Sequence, residues 1–109
     1  MSLQLGLLVT LKAKPGREDD VAKLLQDGLA IVEAELGTVT WYAIRQSAST
    51  FGIFDTFLDE EGLRAHLSGR VAATLAEVAD DMLVTQPEIS TVEILAAKTN
   101  SRRTRPSAP

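Results

Sequence analysis

Apolar residues alternate through 3–12, placing Leu3, Leu5, Leu7, Val9 and Leu11 on one side of an extended chain, the period of a strand with a buried face. Leu8 falls on the other side beside the small Gly6. Lys14-Pro15-Gly16 follows as a turn, because proline fixes φ and glycine tolerates the bend. Over 17–36 the period changes to that of a helix, with Val21, Leu24, Leu25, Gly28 or Leu29, Val32 and Leu36 on one face. Glu18, Asp19 and Asp20 lie where the helix dipole favours anions. Gly37 stands where a C-terminal cap is expected.

Residues 38–46 and 51–58 are rich in β-branched and aromatic types and predict two strands, joined closely enough for a hairpin. A second helical region starts at Asp59 as N-cap, breaks at Gly69, and continues through Val71, Leu75, Val78, Ala79 and Met82. Gln86-Pro87 ends it, and 88–98 predicts the last strand. The order β-α-β-β-α-β is the ferredoxin-like arrangement, an α+β fold with a four-stranded antiparallel sheet covered by helices on one face. Some of Trp41, Tyr42, Ile44, Phe51, Ile53, Phe54 and Ile94 would then lie on the uncovered face. That face is too apolar to stay wet, so a homodimer packed sheet to sheet, or a ligand, is expected to cover it.

The chain has 109 residues, 45% hydrophobic and 24% charged, the proportions of one soluble globular domain. Residues 1–98 read as that domain and 99–109 as a disordered, solvated tail rich in Arg, Pro and Ser. The tail carries Arg102, Arg103 and Arg105, so 1–98 hold eight basic and fifteen acidic residues, a net of −7. An acidic body does not attract nucleic acid or anionic lipid, so neither partner is expected. No apolar run reaches the length of a membrane helix, and the N-terminus lacks signal-peptide features. The absence of cysteine removes disulfides, thiolate zinc sites, iron–sulfur clusters and a cysteine nucleophile. A cytoplasmic location is the expectation that fits.

No GxGxxG, GxxxxGK[ST] or GxSxG motif occurs. His66 is the single histidine and has no carboxylate at i±4, so no metal site is expected. It suits a general base, a donor to a developing oxyanion, an axial haem ligand, or a helix histidine that merely packs locally. Trp41 and Tyr42 are neighbours on one strand and face opposite ways. Trp41 shares its side with Val39, Ala43 and Arg45, which makes either a floor for a flat phenolic or anionic ligand, or plain core. Asp55 sits mid-strand, where a carboxylate needs exposure or a partner. A two- or four-residue hairpin loop sets Arg45 opposite Gly52; a three-residue loop sets Trp41 opposite Asp55.

Four segments, Pro15-Gly16-Arg17-Glu18-Asp19, Thr40-Trp41-Tyr42-Ala43-Ile44-Arg45, Phe51-Gly52-Ile53-Phe54-Asp55-Thr56-Phe57 and Glu61-Gly62-Leu63-Arg64-Ala65-His66-Leu67, together resemble the antibiotic biosynthesis monooxygenase (ABM) domain over residues 4–98. The resemblance implies a dimeric α+β barrel. It also implies a monooxygenase that oxidises a small phenol, hydroquinone or polycyclic aromatic with O2 and no cofactor. In that scheme His66, Arg45 and Asp55 are the catalytic candidates, and Trp41, Tyr42 and Phe54 the substrate-binding ones. A non-catalytic dimeric ligand-binding module of the same fold is the alternative. The haem-degrading branch fits worse: the first strand has no asparagine, and the tryptophan is on the second strand rather than the third.

Overall fold

The computed structural model describes residues 5–99; most of the tail assigned to 99–109, and Leu3 of the first strand, lie outside the described residues. The elements run β1 (Leu5–Lys12), α1 (Glu18–Val32), β2 (Thr38–Arg45), β3 (Thr50–Phe57), α2 (Glu60–Leu67), α3 (Arg70–Met82) and β4 (Glu88–Glu93). The strands form one antiparallel sheet in the order β2-β3-β1-β4. This is the ferredoxin-like fold, its second helical region divided at Gly69 into α2 and α3 as the sequence predicts.

Leu7, Val9 and Leu11 of β1 and Phe51, Ile53 and Phe57 of β3 bury one face of the sheet. Val21, Leu25 and Val32 of α1 and Val71, Leu75 and Ala79 of α3 close over it at three- and four-residue spacing. Among the described residues Gly16 alone has a left-handed backbone, φ 87°. With Pro15 before it and the Arg17 N–H donating to the Lys14 carbonyl at 2.9 Å, it makes the turn that sends the chain into α1.

The ends of α1 and of the last strand differ from expectation. α1 stops at Val32, and Leu36, placed by periodicity on its buried stripe, is 96% exposed. The intervening turns rotate the chain, so position 35 faces inward instead. Gly37 is therefore not the helix cap; it lies against Gly62 of α2, where a Cβ would sit 2.6 Å from the Gly62 Cα. The last strand ends at Glu93 rather than residue 98.

The hairpin between β2 and β3 has the three-residue loop, so Trp41 pairs with Asp55 and Arg45 with Phe51. Side chains of Trp41, Ala43 and Arg45 therefore share the helix-covered face with Phe51, Ile53 and Asp55, because directly paired residues lie on one side. Leu8, Tyr42, Ile44 and Phe54 take the other face, where the first three are exposed. Among the described residues no helix is long and apolar enough to cross a membrane.

Candidate functional site

The polar centre of the molecule is assembled by a close crossing of two backbones. Asp59 caps α2 by accepting the Gly62 N–H at 2.9 Å. Gly62 in turn lies on Gly37, and a Cβ at Gly62 would meet the Gly37 carbonyl oxygen at 2.6 Å. The absence of side chains at both positions lets α2 settle onto the start of β2. One helical turn beyond Gly62, His66 faces the same way and drops between two carboxylates.

The His66 Nδ1 lies 2.6 Å from Glu35 Oε1, and its Nε2 lies 3.0 Å from Asp55 Oδ2. Thr38 Oγ1 donates to the same Glu35 oxygen at 2.8 Å. The Nδ1 contact is a well-formed hydrogen bond. The Nε2 contact is an off-line ion contact, since neither Asp55 oxygen has a properly aligned donor among the described residues. Phe57 packs its ring against the imidazole with centroids 5.3 Å apart. Asp55 is 0% exposed and the His66 side chain 7%, whereas Glu35 retains 21%.

Burial lowers the His66 pKa, but the close Asp55 contact, the Glu35 hydrogen bond and the charges of both carboxylates outweigh it, so the imidazole is raised above its ordinary 6.5. The two carboxylates thus favour the imidazolium form over the neutral ring. The sign of its effect on stability follows. Below 6.5 folded and unfolded chains both hold the proton, and the contribution is fully present. As pH rises through the raised value the unfolded chain binds fewer protons than the folded one, so stability declines, by at most about 1.4 kcal/mol per pH unit. The urea midpoint is expected to fall over this interval in the wild type and to stay flatter in Asp55→Asn. Parallel curves would remove the ion contact as the cause.

Two apolar cavities lie beneath the helices. One, about 160 Å³, is lined by Leu7, Val9, Ile53, His66 and Leu67 and opens past Ile89 of β4. The other, about 200 Å³, lies between α1 and the sheet, with Gly28, Ile31 and Trp41 in its wall. Val71 and Leu75 border both and form the partition. A cavity of about 150 Å³ holds one benzene ring, so the His66 cavity is the size of a single aromatic ring. It lacks room for a porphyrin, and each imidazole nitrogen already faces a carboxylate. These residues do not fit a haem. Among the described residues no group of three His, Cys, Asp or Glu could hold a metal ion.

Of the residues singled out from sequence, the structure brings together His66, Asp55 and the cross-strand partner Trp41. Trp41 rests its ring edge about 3.4 Å from where a Gly28 Cβ would lie, and its buried indole N–H has no partner among the described residues. Arg45 is elsewhere. It is four residues farther along β2, about 13 Å away, with its guanidinium 4.8 Å over the Phe51 ring and donating to the Ala48 carbonyl at 3.2 Å. Asp55 therefore pairs with His66, not with Arg45. Tyr42 and Phe54 lie on the opposite face of the sheet and do not line the His66 cavity.

Sequence reading missed Glu35 and Thr38. The apolar stripe was extended to Leu36, which placed Glu35 on a solvent-facing helix surface. The available signal was Glu33 and Glu35 ahead of Gly37-Thr38, since acids are unfavourable in a last helical turn and argue for an earlier helix stop.

No family model matches the chain, and no curated protein matches it. Among solved structures, a protein of unknown function from Nitrosomonas europaea is 46% identical, covering 90% of this chain and 95% of that one with a TM-score of 0.87. A candidate antibiotic biosynthesis monooxygenase from Caulobacter crescentus superimposes with a TM-score of 0.73 at 16% identity, over 86% of this chain and 92% of that one. A second such candidate, from Nitrosomonas europaea, gives 0.75 at 11% identity, over 84% and 99%. The two candidate monooxygenases establish the ABM-type fold alone. The far higher identity of the first match, over nearly the whole of both chains, establishes that this chain belongs to the family of that Nitrosomonas europaea protein of unknown function.

Proposed function

We propose that the protein is an oxygen-dependent monooxygenase of a single-ring phenol or hydroquinone, acting without a prosthetic group. The observation that carries the reading is a histidine held between two carboxylates, which favour its charged form, at the wall of an apolar cavity the size of one ring. In a low-dielectric cavity a fixed cation favours ionisation of a phenol beside it. The hydroxyl proton leaves to solvent, and the phenolate pairs with His66, among the described residues the one titratable side chain in the cavity wall. The electrons come from the phenolate; one atom of dioxygen enters the ring and the other leaves as water. Apolar walls keep bulk water from the intermediate.

The test is oxygen consumption by the purified protein over a panel of phenols, catechols and hydroquinones. Saturable uptake with a matching quinone product supports the reading. A flat trace, repeated with added flavin and with haemin, defeats it. The occupied state of both imidazole nitrogens favours a second reading, a ligand-binding module without turnover, for which tight aromatic binding with no product is the signature.

Leu8, Tyr42 and Ile44 are between 42% and 56% exposed on the uncovered sheet face. A second copy of the chain packed sheet to sheet is the occupant proposed for it. Light scattering is expected to give twice the chain mass, and Tyr42→Lys to give one chain mass. A monomeric wild type would exclude the pairing.

A further inference from the structure

Glu35 is the least buried member of the His66 cluster, yet it makes the cluster's shortest and best-aligned contact. Its Oε1 receives both the His66 Nδ1–H at 2.6 Å and the Thr38 hydroxyl at 2.8 Å. Its Oε2 is accommodated by Gly69, where a Cβ would approach to 3.3 Å. On its outer side it lines a surface cleft with Ala34, Ala65 and Arg70. The contact on the other ring nitrogen is of a different kind. Asp55 lies 3.0 Å from Nε2 but off the donor direction. A hydrogen bond on one ring nitrogen decides which nitrogen of the neutral ring carries the proton and how the ring is oriented.

We infer that Glu35, held by Thr38, is the positioning residue of this site: it fixes the Nδ1–H of His66 outward and leaves Nε2–H as the exchangeable proton of the cavity. The inference deepens the proposed function and rests on it for its catalytic meaning, although its geometric content does not. Around His66 the charged groups are Glu35 from the α1–β2 segment and Asp55 from β3, with Arg70 of α3 beyond Glu35 in the outer cleft. Phe57 covers the ring without adding charge. A carboxylate that both orients and holds the imidazolium sets the pH at which the site loses its proton. A reaction that uses that proton fails above that pH.

His66 is the chain's single histidine, so its ring nitrogens give unambiguous NMR signals without any substrate. In the wild type the titration midpoint is expected above 6.5, and the neutral ring at alkaline pH is expected to carry its proton on Nδ1. Glu35→Gln should lower the midpoint by about one pH unit or more, and Thr38→Val should lower it by less. In Glu35→Ala the neutral ring should move its proton to Nε2, toward Asp55. A wild-type ring protonated on Nε2 overturns the inference. So does a midpoint unmoved in Glu35→Gln with an intact backbone spectrum. Should Glu35→Gln fail to fold, Thr38→Val decides by the same midpoint. With a turned-over substrate, the alkaline limb of kcat/KM should shift by the NMR difference while KM changes little. A shifted midpoint beside a flat oxygen trace would sink the monooxygenase reading and leave the positioning role standing.

Discussion

Gly62→Ala is expected to destabilise the protein by roughly 2–3 kcal/mol, the cost of forcing atoms into a filled site. In an ordinary helix interior the same change would be favourable by about 1 kcal/mol. The sign reverses because the new methyl would stand 2.6 Å from the Gly37 carbonyl oxygen and 3.1 Å from its Cα. Both are backbone atoms, and the same carbonyl accepts the Leu58 N–H at 3.0 Å. The strand start therefore cannot yield without losing that bond. Urea unfolding measures the effect, with Gly28→Ala as the comparison, since a Cβ there meets Trp41 at an ordinary 3.4 Å. A Gly62→Ala protein as stable as the wild type would show that α2 lifts off β2 at no cost. The substitution should also lower the His66 titration midpoint, because the crossing sets the distance from α2 to Glu35.

The second large effect is on turnover. His66→Gln is expected to reduce oxygen uptake by about 10²-fold or more, the scale of removing an acid–base or oxyanion-stabilising group. Arg45→Ala should stay within about twofold, since Arg45 stacks on Phe51 away from the cavity and loses about 1 kcal/mol or less of exposed cation–π attraction. Equal loss in both variants would point to the Arg45 end of the sheet as the reaction site. Equal retention in both would remove His66 from the chemistry. Removing His66 also strands the buried Asp55 carboxylate, at a cost of about 3–5 kcal/mol. The Asp55→Asn/His66→Gln double variant separates the two effects: its stability should recover and its turnover should not.

Sequence alone carried the element order because it rests on local periodicity and punctuation. Pro15-Gly16, the Asp59 cap and the Gly69 break are short-range signals, and each appears where its chemistry places it. The hairpin register was open because the loop SAST serves lengths of two, three or four, and only pairing across the sheet chooses among them. That choice put Trp41 opposite Asp55 and turned Arg45 away. His66 and Asp55 were legible as chemically unusual residues, one the lone imidazole and one a mid-strand acid. Their meeting was not, since it depends on a helix landing on a strand. Glu35 was hidden because the apolar stripe runs on to Leu36 and outweighs the weaker stop signal of the acids before Gly37, although the helix ends at Val32.

Glu35, Asp55 and His66 all come from one uninterrupted stretch of chain, whereas Leu7, Ala72, Ala76 and Ile89 of the cavity wall come from outside it. The ionic cluster and much of the pocket wall are thus carried by different parts of the sequence. Trimming or enlarging Ala72, Ala76 or Ile89 would re-tailor the pocket for a different ring, each methylene altering selection by about 1–3 kcal/mol, while the ionic centre stays as built. Relatives that keep the 35–66 segment and vary these wall positions would carry differently shaped pockets around one unchanged ionic centre.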